Sequence, residues 1–153
     1  MNDEIEEEYF ASIDKTKIDC GLVHQFLSEK SYWAKNIPFT IVEKSIENSF
    51  CFGVYNRKNE QVAFARVVTD FATFAYLADV FVVEAHREKG ISKFLMTFIM
   101  QHEKLQGLRR WVLATRDAQG LYAQFGFEPL SHPQNFMTIA KLDMYLTNLA
   151  SEG

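Results

Sequence analysis

Cysteine is scarce in this 153-residue chain: there are two, Cys20 and Cys51, and they form no CxxC pair. That excludes a disulfide framework and a zinc ribbon, and leaves two reduced thiols as the expectation. The four histidines are scattered, with no HExxH and no Cys/His cluster, so no metal site is expected. No run is long and apolar enough to cross a bilayer. The acidic start, Met1-Asn2-Asp3-Glu4-Ile5-Glu6-Glu7-Glu8, lacks the basic-then-apolar order of a secretory signal, which points to the cytoplasm and away from a membrane. Basic residues are not in excess, 16 against 20 acidic, so no nucleic-acid partner is expected and any anion must be held by a local site. Only three prolines and seven glycines are present, and they form no linker or repeat.

What is present suits a single domain spanning residues 1–153, long enough to bury roughly two-thirds of its unfolded surface. Residues 1–8 are expected to fray. Hydrophobic residues reach 48%, and 14 phenylalanines promise an aromatic core. Tyr9 to Ile13 reads as a strand. Asp19 can cap a helix whose apolar stripe is Leu22, Val23, Phe26 and Leu27. The aromatic loop from Ser31 to Asn36 follows, and Pro38 suits the start of a second helix. The period then changes: strands are expected at Ser49–Tyr55, Gln61–Thr69 and Ala75–Val83, joined by short turns. Helical spacing runs from Gly90 to Leu105. Trp111–Thr115 reads as a strand, Asp117–Phe125 as a helix capped by Asp117, and Phe136–Ile139 as a last strand. Short turns imply antiparallel pairing in the middle, and a helix-length crossover makes its two flanking strands parallel. The fold class is mixed α/β (α+β), without the repeated βα units of a doubly wound dinucleotide fold.

One segment carries the chemistry. After the apolar run Val80-Phe81-Val82-Val83 comes a short charged loop, and Arg87-x-x-Gly90-x-Ser92 opens a helix. The first turn of a helix has N–H groups without intrahelical acceptors, and the helix dipole adds positive potential there. Gly90 allows close backbone approach, and Arg87 and Lys89 add charge, so a diphosphate fits. An ordinary capped helix with a solvated loop fits the same residues. Downstream, Leu121-Tyr122-Ala123-Gln124-Phe125-Gly126-Phe127 reads either as an inward-packed helix closed by Gly126 or as a functional element.

Taken together and in this order, the two segments resemble the GNAT superfamily of N-acetyltransferases. Arg87 and Gly90 match its Q/R-x-x-G-x-G/A coenzyme-binding motif, with Ser92 departing at the final small position. Residues 121–127 match its L-Y-x-x-x-G-F element. The resemblance spans roughly Phe50 to Ile139. It implies a central sheet, largely antiparallel with a splayed parallel strand pair, flanked by about four helices. It also implies transfer of an acetyl group from acetyl-coenzyme A to a primary amine on a small molecule or peptide.

By that resemblance Phe81, Val82 and Val83 meet the pantetheine, and the loop Arg87, Glu88, Lys89, Gly90, Ile91 and Ser92 holds the pyrophosphate. Tyr122 is the candidate general acid, since a phenol with a pKa of about 10 keeps its proton at neutral pH. Asp79 is the candidate base, a structural hydrogen bond being its other reading. Tyr32, Trp33 and Phe39 are candidate walls of an acceptor pocket, buried packing between helices being their other reading. A coenzyme-binding sensor without catalysis is the alternative function, and a homodimer through sheet edges is compatible with the pattern.

Overall fold

A computed structural model describes residues 3–146. In chain order the elements are α1 (Asp3–Glu8), β1 (Tyr9–Ser12), α2 (Cys20–Lys30), α3 (Phe39–Glu47), β2 (Phe50–Asn56), β3 (Gln61–Thr69), β4 (Phe74–Val82), α4 (Ile91–Gln101), β5 (Arg110–Leu113) and α5 (Gln119–Ala123). The strands form one sheet in the order β1-β2-β3-β4-β5. The first four pair antiparallel, and β5 joins β4 in parallel after the α4 crossover. This is the mixed sheet that the period changes imply.

The local signals act where they stand in the sequence. The Leu22 N–H donates to Asp19 Oδ1 at 3.0 Å and starts α2. Pro38 precedes α3, and Gly90 (φ 83°) stands at the head of α4 with no side-chain cap. Two apolar clusters sandwich the sheet. Leu95, Met96 and Ile99 of α4 pack with Phe52, Val54, Val67 and Leu77. On the other face Val23, Phe26 and Leu27 of α2 and Val42 and Ile46 of α3 pack on Cys51, Phe64 and Phe81. Coverage of both faces is why β2 and β3 read as nearly continuous apolar runs.

Three expectations need correction. The acidic start is not frayed from residue 3, because Asp3–Glu8 is helical. Arg57 donates from Nε to the Glu7 carbonyl at 2.9 Å and from Nη2 to that of Glu6, so two of the helix's orphan carbonyls are satisfied. Ile5 also packs into the α4-side core. Asp117 does not cap α5. Ala118 occupies that position, and its N–H donates to Thr115 Oγ1 at 3.1 Å. Finally, Phe136–Ile139 is not a strand: the chain there is irregular, with Met137 97% and Ile139 96% exposed. A short apolar run becomes a strand only with an edge to pair on. Here Phe136 instead lies beneath the Arg110 guanidinium, 4.8 Å from its centre.

Candidate active site

The site begins with a defect in β4. Arg66 pairs with Ala78 and Phe64 with Phe81, so Asp79 and Val80 together oppose Ala65, which is a β-bulge. Asp79 takes the extra turn in the left-handed region, with φ 56°. Short carboxylate side chains tolerate this conformation better than most. Beyond the bulge β4 departs from β5: their pairing runs only from Phe74↔Arg110 to Leu77↔Leu113. Beyond Asp79, residues 80–82 therefore face an open gap, where Val80 is only half-buried.

Backbone groups are free in that gap. The Val83 N–H donates to the Val62 carbonyl at 2.9 Å, so strand alternation turns the Val82 N–H to the open side. The Val82 carbonyl accepts from Arg87 Nε at 3.2 Å, a bond that folds the loop back on the strand end. Below the gap the chain makes a tight turn at Glu84–His86, then passes Glu88 (φ 64°) and Gly90 (φ 83°) into α4. His86 Nδ1 and Tyr9 Oη share a 2.7 Å hydrogen bond that ties this loop to β1. The open first turn of α4, at Ile91, Ser92 and Lys93, points into the cleft with no side-chain cap in the way.

Across the gap stands α5. Tyr122 is 9% exposed and meets Phe127 edge-on at 6.0 Å. Gly126 (φ 95°) closes the helix, and the Phe127 N–H returns to the Tyr122 carbonyl at 3.3 Å. Burial raises the Tyr122 pKa, and the nearby Tyr32 and Asp117 raise it further. Among the described residues the Tyr122 hydroxyl has no hydrogen-bond partner, so its proton is available to a ligand.

These parts line one cleft of about 710 Å³. Phe81, Val82, Arg87, Glu88, Gly90, Ile91, Ser92 and Tyr122 all face it, while Val83 and Lys89 do not. Tyr32 and Trp33 form its upper rim, but Phe39 packs edge-on against His24 at 5.4 Å, away from the cleft. Asp79 is not in the lining. Its Oδ2 accepts from Arg66 Nε at 2.8 Å, and its Oδ1 accepts from Trp33 Nε1 at 2.8 Å. Arg66 in turn donates to Ser49 Oγ at 3.1 Å. The arrangement thus uses Asp79 to anchor the aromatic loop on the bulge.

Arg66, Lys30 and Arg116 were not found by sequence reasoning. Arg66 carried a signal, because a charge inside an apolar strand needs a buried partner. Arg116 carried a weaker one, as a cation just ahead of the helix that bears Tyr122.

Residues 47–129 match the family model described as the acetyltransferase (GNAT) domain. The chain belongs to the GNAT acetyltransferase family. A solved structure from Xanthomonas campestris pv. campestris, described as belonging to the same family, is 50% identical and superposes with a TM-score of 0.87, over 90% of this chain and 96% of that one. A Gibberella zeae protein with an acetyltransferase name is 28% identical over 76% of this chain and 77% of its own. An acetyltransferase-type structure from Clostridium acetobutylicum, solved with acetyl-CoA, is 12% identical with a TM-score of 0.63, covering 86% and 94% of the two chains. It shares the GNAT fold.

Among the described residues no group of three or more His, Cys, Asp or Glu side chains is gathered as a metal site. Nor is any described helix long and apolar enough to cross a membrane.

Proposed function

We propose that this GNAT chain transfers the acetyl group of acetyl-coenzyme A to a primary amine. The observation that carries the reading is the single cleft joining an uncapped α4 N-terminus, an unpaired β4 edge and a phenol with a free proton. The amides of Ile91, Ser92 and Lys93 hold the pyrophosphate, and Gly90 turns the chain into that first helical turn through its positive φ of 83°. The edge from Val80 to Val82 takes the pantetheine as an added strand. The Val82 N–H, facing the gap, polarises the thioester carbonyl and stabilises the oxyanion.

The proton balance follows from the side chains in the cleft. The amine nitrogen forms the new C–N bond as the C–S bond breaks. Tyr122 gives its proton to the departing thiolate, and its raised pKa keeps the phenol protonated at neutral pH. Asp117, an exposed carboxylate of the cleft wall whose charge reaches Tyr122, takes the proton that the amine loses. Asp79, held by Arg66 and Trp33, keeps the rim in place and moves no proton.

Titrating the protein with acetyl-coenzyme A in a thermal unfolding assay tests the reading. Ligand at about 100 times its dissociation constant adds roughly 2.7 kcal/mol. For a chain of this size that is a rise of roughly 5–10 °C in Tm. No shift at millimolar ligand would exclude the coenzyme. A shift without free-thiol release across a broad amine panel would make the protein a coenzyme sensor.

A further inference from the structure

The end of the cleft away from α4 is built differently from the phosphate end. Two chain segments meet there: the loop after α2, with Tyr32 and Trp33, and the β5–α5 connection, with Arg116 and Asp117. They are joined. The Arg116 N–H donates to Tyr32 Oη at 2.9 Å, and the guanidinium lies over the Tyr32 ring, 3.8 Å from its centre. Tyr32 in turn meets Trp33 edge-on at 5.0 Å, and the bond from Trp33 to Asp79 fixes the pair to the sheet. The rim is therefore held at both ends before any acceptor arrives, which lowers the cost of ordering it on binding.

The charges at this end are specific. The whole chain is acidic, with a formal charge of -4, yet the cleft is lined by Lys30, Arg87, Lys93 and Arg116 against two carboxylates, Glu88 and Asp117. Lys93 and Glu88 belong to the phosphate end, and Arg87 is bonded to the Val82 carbonyl there. Lys30 and Arg116 are left at the acceptor end, and neither has a carboxylate partner among the described residues. A guanidinium stacked on an aromatic face keeps its edge N–H donors free, aligned for a planar anion. Asp79 is neutralised by Arg66 and outside the lining, so it offers a cationic acceptor no charge from the rim.

We infer that the acceptor is a primary amine that carries both an aromatic ring and an anionic group: its ring lies against Tyr32 and Trp33, its anion is bound by Arg116 with Lys30, and its amino group is directed to Asp117 and Tyr122. This deepens the acetyl-transfer reading and rests on it. The anion is a carboxylate or a phosphate, since the guanidinium fork suits both.

The test compares matched acceptors with acetyl-coenzyme A as donor. Phenylalanine is set against phenylalaninamide and phenethylamine, and phosphotyramine against tyramine, by kcat/KM from thiol release. The anionic member of at least one pair is expected to be favoured by about 10- to 100-fold, the range for a charge-assisted hydrogen bond. The pair that shows the preference identifies the anion. Arg116→Ala is expected to abolish the preference through KM, Arg116→Lys to restore part of it, and the coenzyme dissociation constant to stay unchanged in both. The inference is overturned if the neutral members are as good or better, or if the coenzyme binds and no pair is turned over. Failure of the parent protein to bind acetyl-coenzyme A is a different result, and it refutes the acetyl-transfer reading itself.

Discussion

Replacing Asp79 with Asn exchanges one carboxylate oxygen for an NH₂ while keeping shape and the left-handed backbone, which Asn adopts as readily. The carboxylate accepts one bond from Arg66 and one from Trp33. The amide can accept only one of them, and its NH₂ then faces another donor. The Arg66 and Asp79 side chains are 18% and 10% exposed, so the pair is largely but not fully desolvated. Breaking a fully buried pair costs about 3–5 kcal/mol. Partial exposure and the one surviving acceptor reduce that to roughly 2 kcal/mol, a fall of roughly 4–8 °C in Tm. Urea unfolding gives the stability, and thiol release at varied acceptor concentration separates KM from kcat. A positioning role predicts a raised acceptor KM, a modest loss in kcat and an unchanged pH profile. Trp33→Phe, which leaves the Arg66 ion pair intact, should reproduce the KM effect with little loss of stability. A collapse of kcat by 10²-fold or more in Asp79→Asn, with KM unchanged, would refute this and make Asp79 the base.

Gly90→Ala should cost about 1–2 kcal/mol in chemical denaturation, because φ is 83° at that position. It should also weaken coenzyme binding by calorimetry, and parent-like values for both would contradict the phosphate-loop geometry. Tyr9→Phe removes the hydroxyl bonded to His86 and should lower stability by about 1 kcal/mol while loosening coenzyme binding, both read by thermal shift with and without ligand. Alkaline stability follows from burial, which pushes the Cys51 thiol up to about 11 and the Tyr55 phenol up to about 12, and also raises Tyr122. The folded chain keeps protons that the unfolded chain releases from about pH 9 upward. Stability should therefore hold below about pH 9 and fall as pH rises toward 11–12. A flat urea midpoint from pH 8 to 11 would count against this.

The sequence carries its local signals openly. Asp19, Pro38 and Gly90 mark the starts of three helices, and Gly126 closes a fourth, because capping is decided by one or two residues. The two motifs sit on the cleft they imply, with Tyr122 and Gly90 both in its lining. What escaped depends on tertiary neighbours. The helix at Asp3–Glu8 is held by Arg57, some fifty residues away, which no local pattern reveals. Asp79 sits in an apolar strand run that suits either a base or an anchor, and only its place at a bulge between Arg66 and Trp33 separates the two. Phe136–Ile139 has the apolar residues of a short strand, yet no partner strand lies beside it among the described residues. Arg116 offers only a weak signal in the sequence, a cation just ahead of the Tyr122 helix, and the Tyr32 ring beneath it gives that signal its meaning.

Thiol release by the parent protein and by Tyr122→Phe, on one acetyl-coenzyme A and amine-acceptor assay, tests the central claim most directly. The hydroxyl has no partner among the described residues, so its removal should leave Tm and coenzyme affinity nearly unchanged. The account predicts amine-dependent turnover by the parent, with acetylated product found by mass spectrometry. It predicts a kcat lower by roughly 10²-fold or more in the variant, the lower end for acid–base catalysis. Equal kcat in the two proteins, or no acetylated amine from the parent, would contradict it.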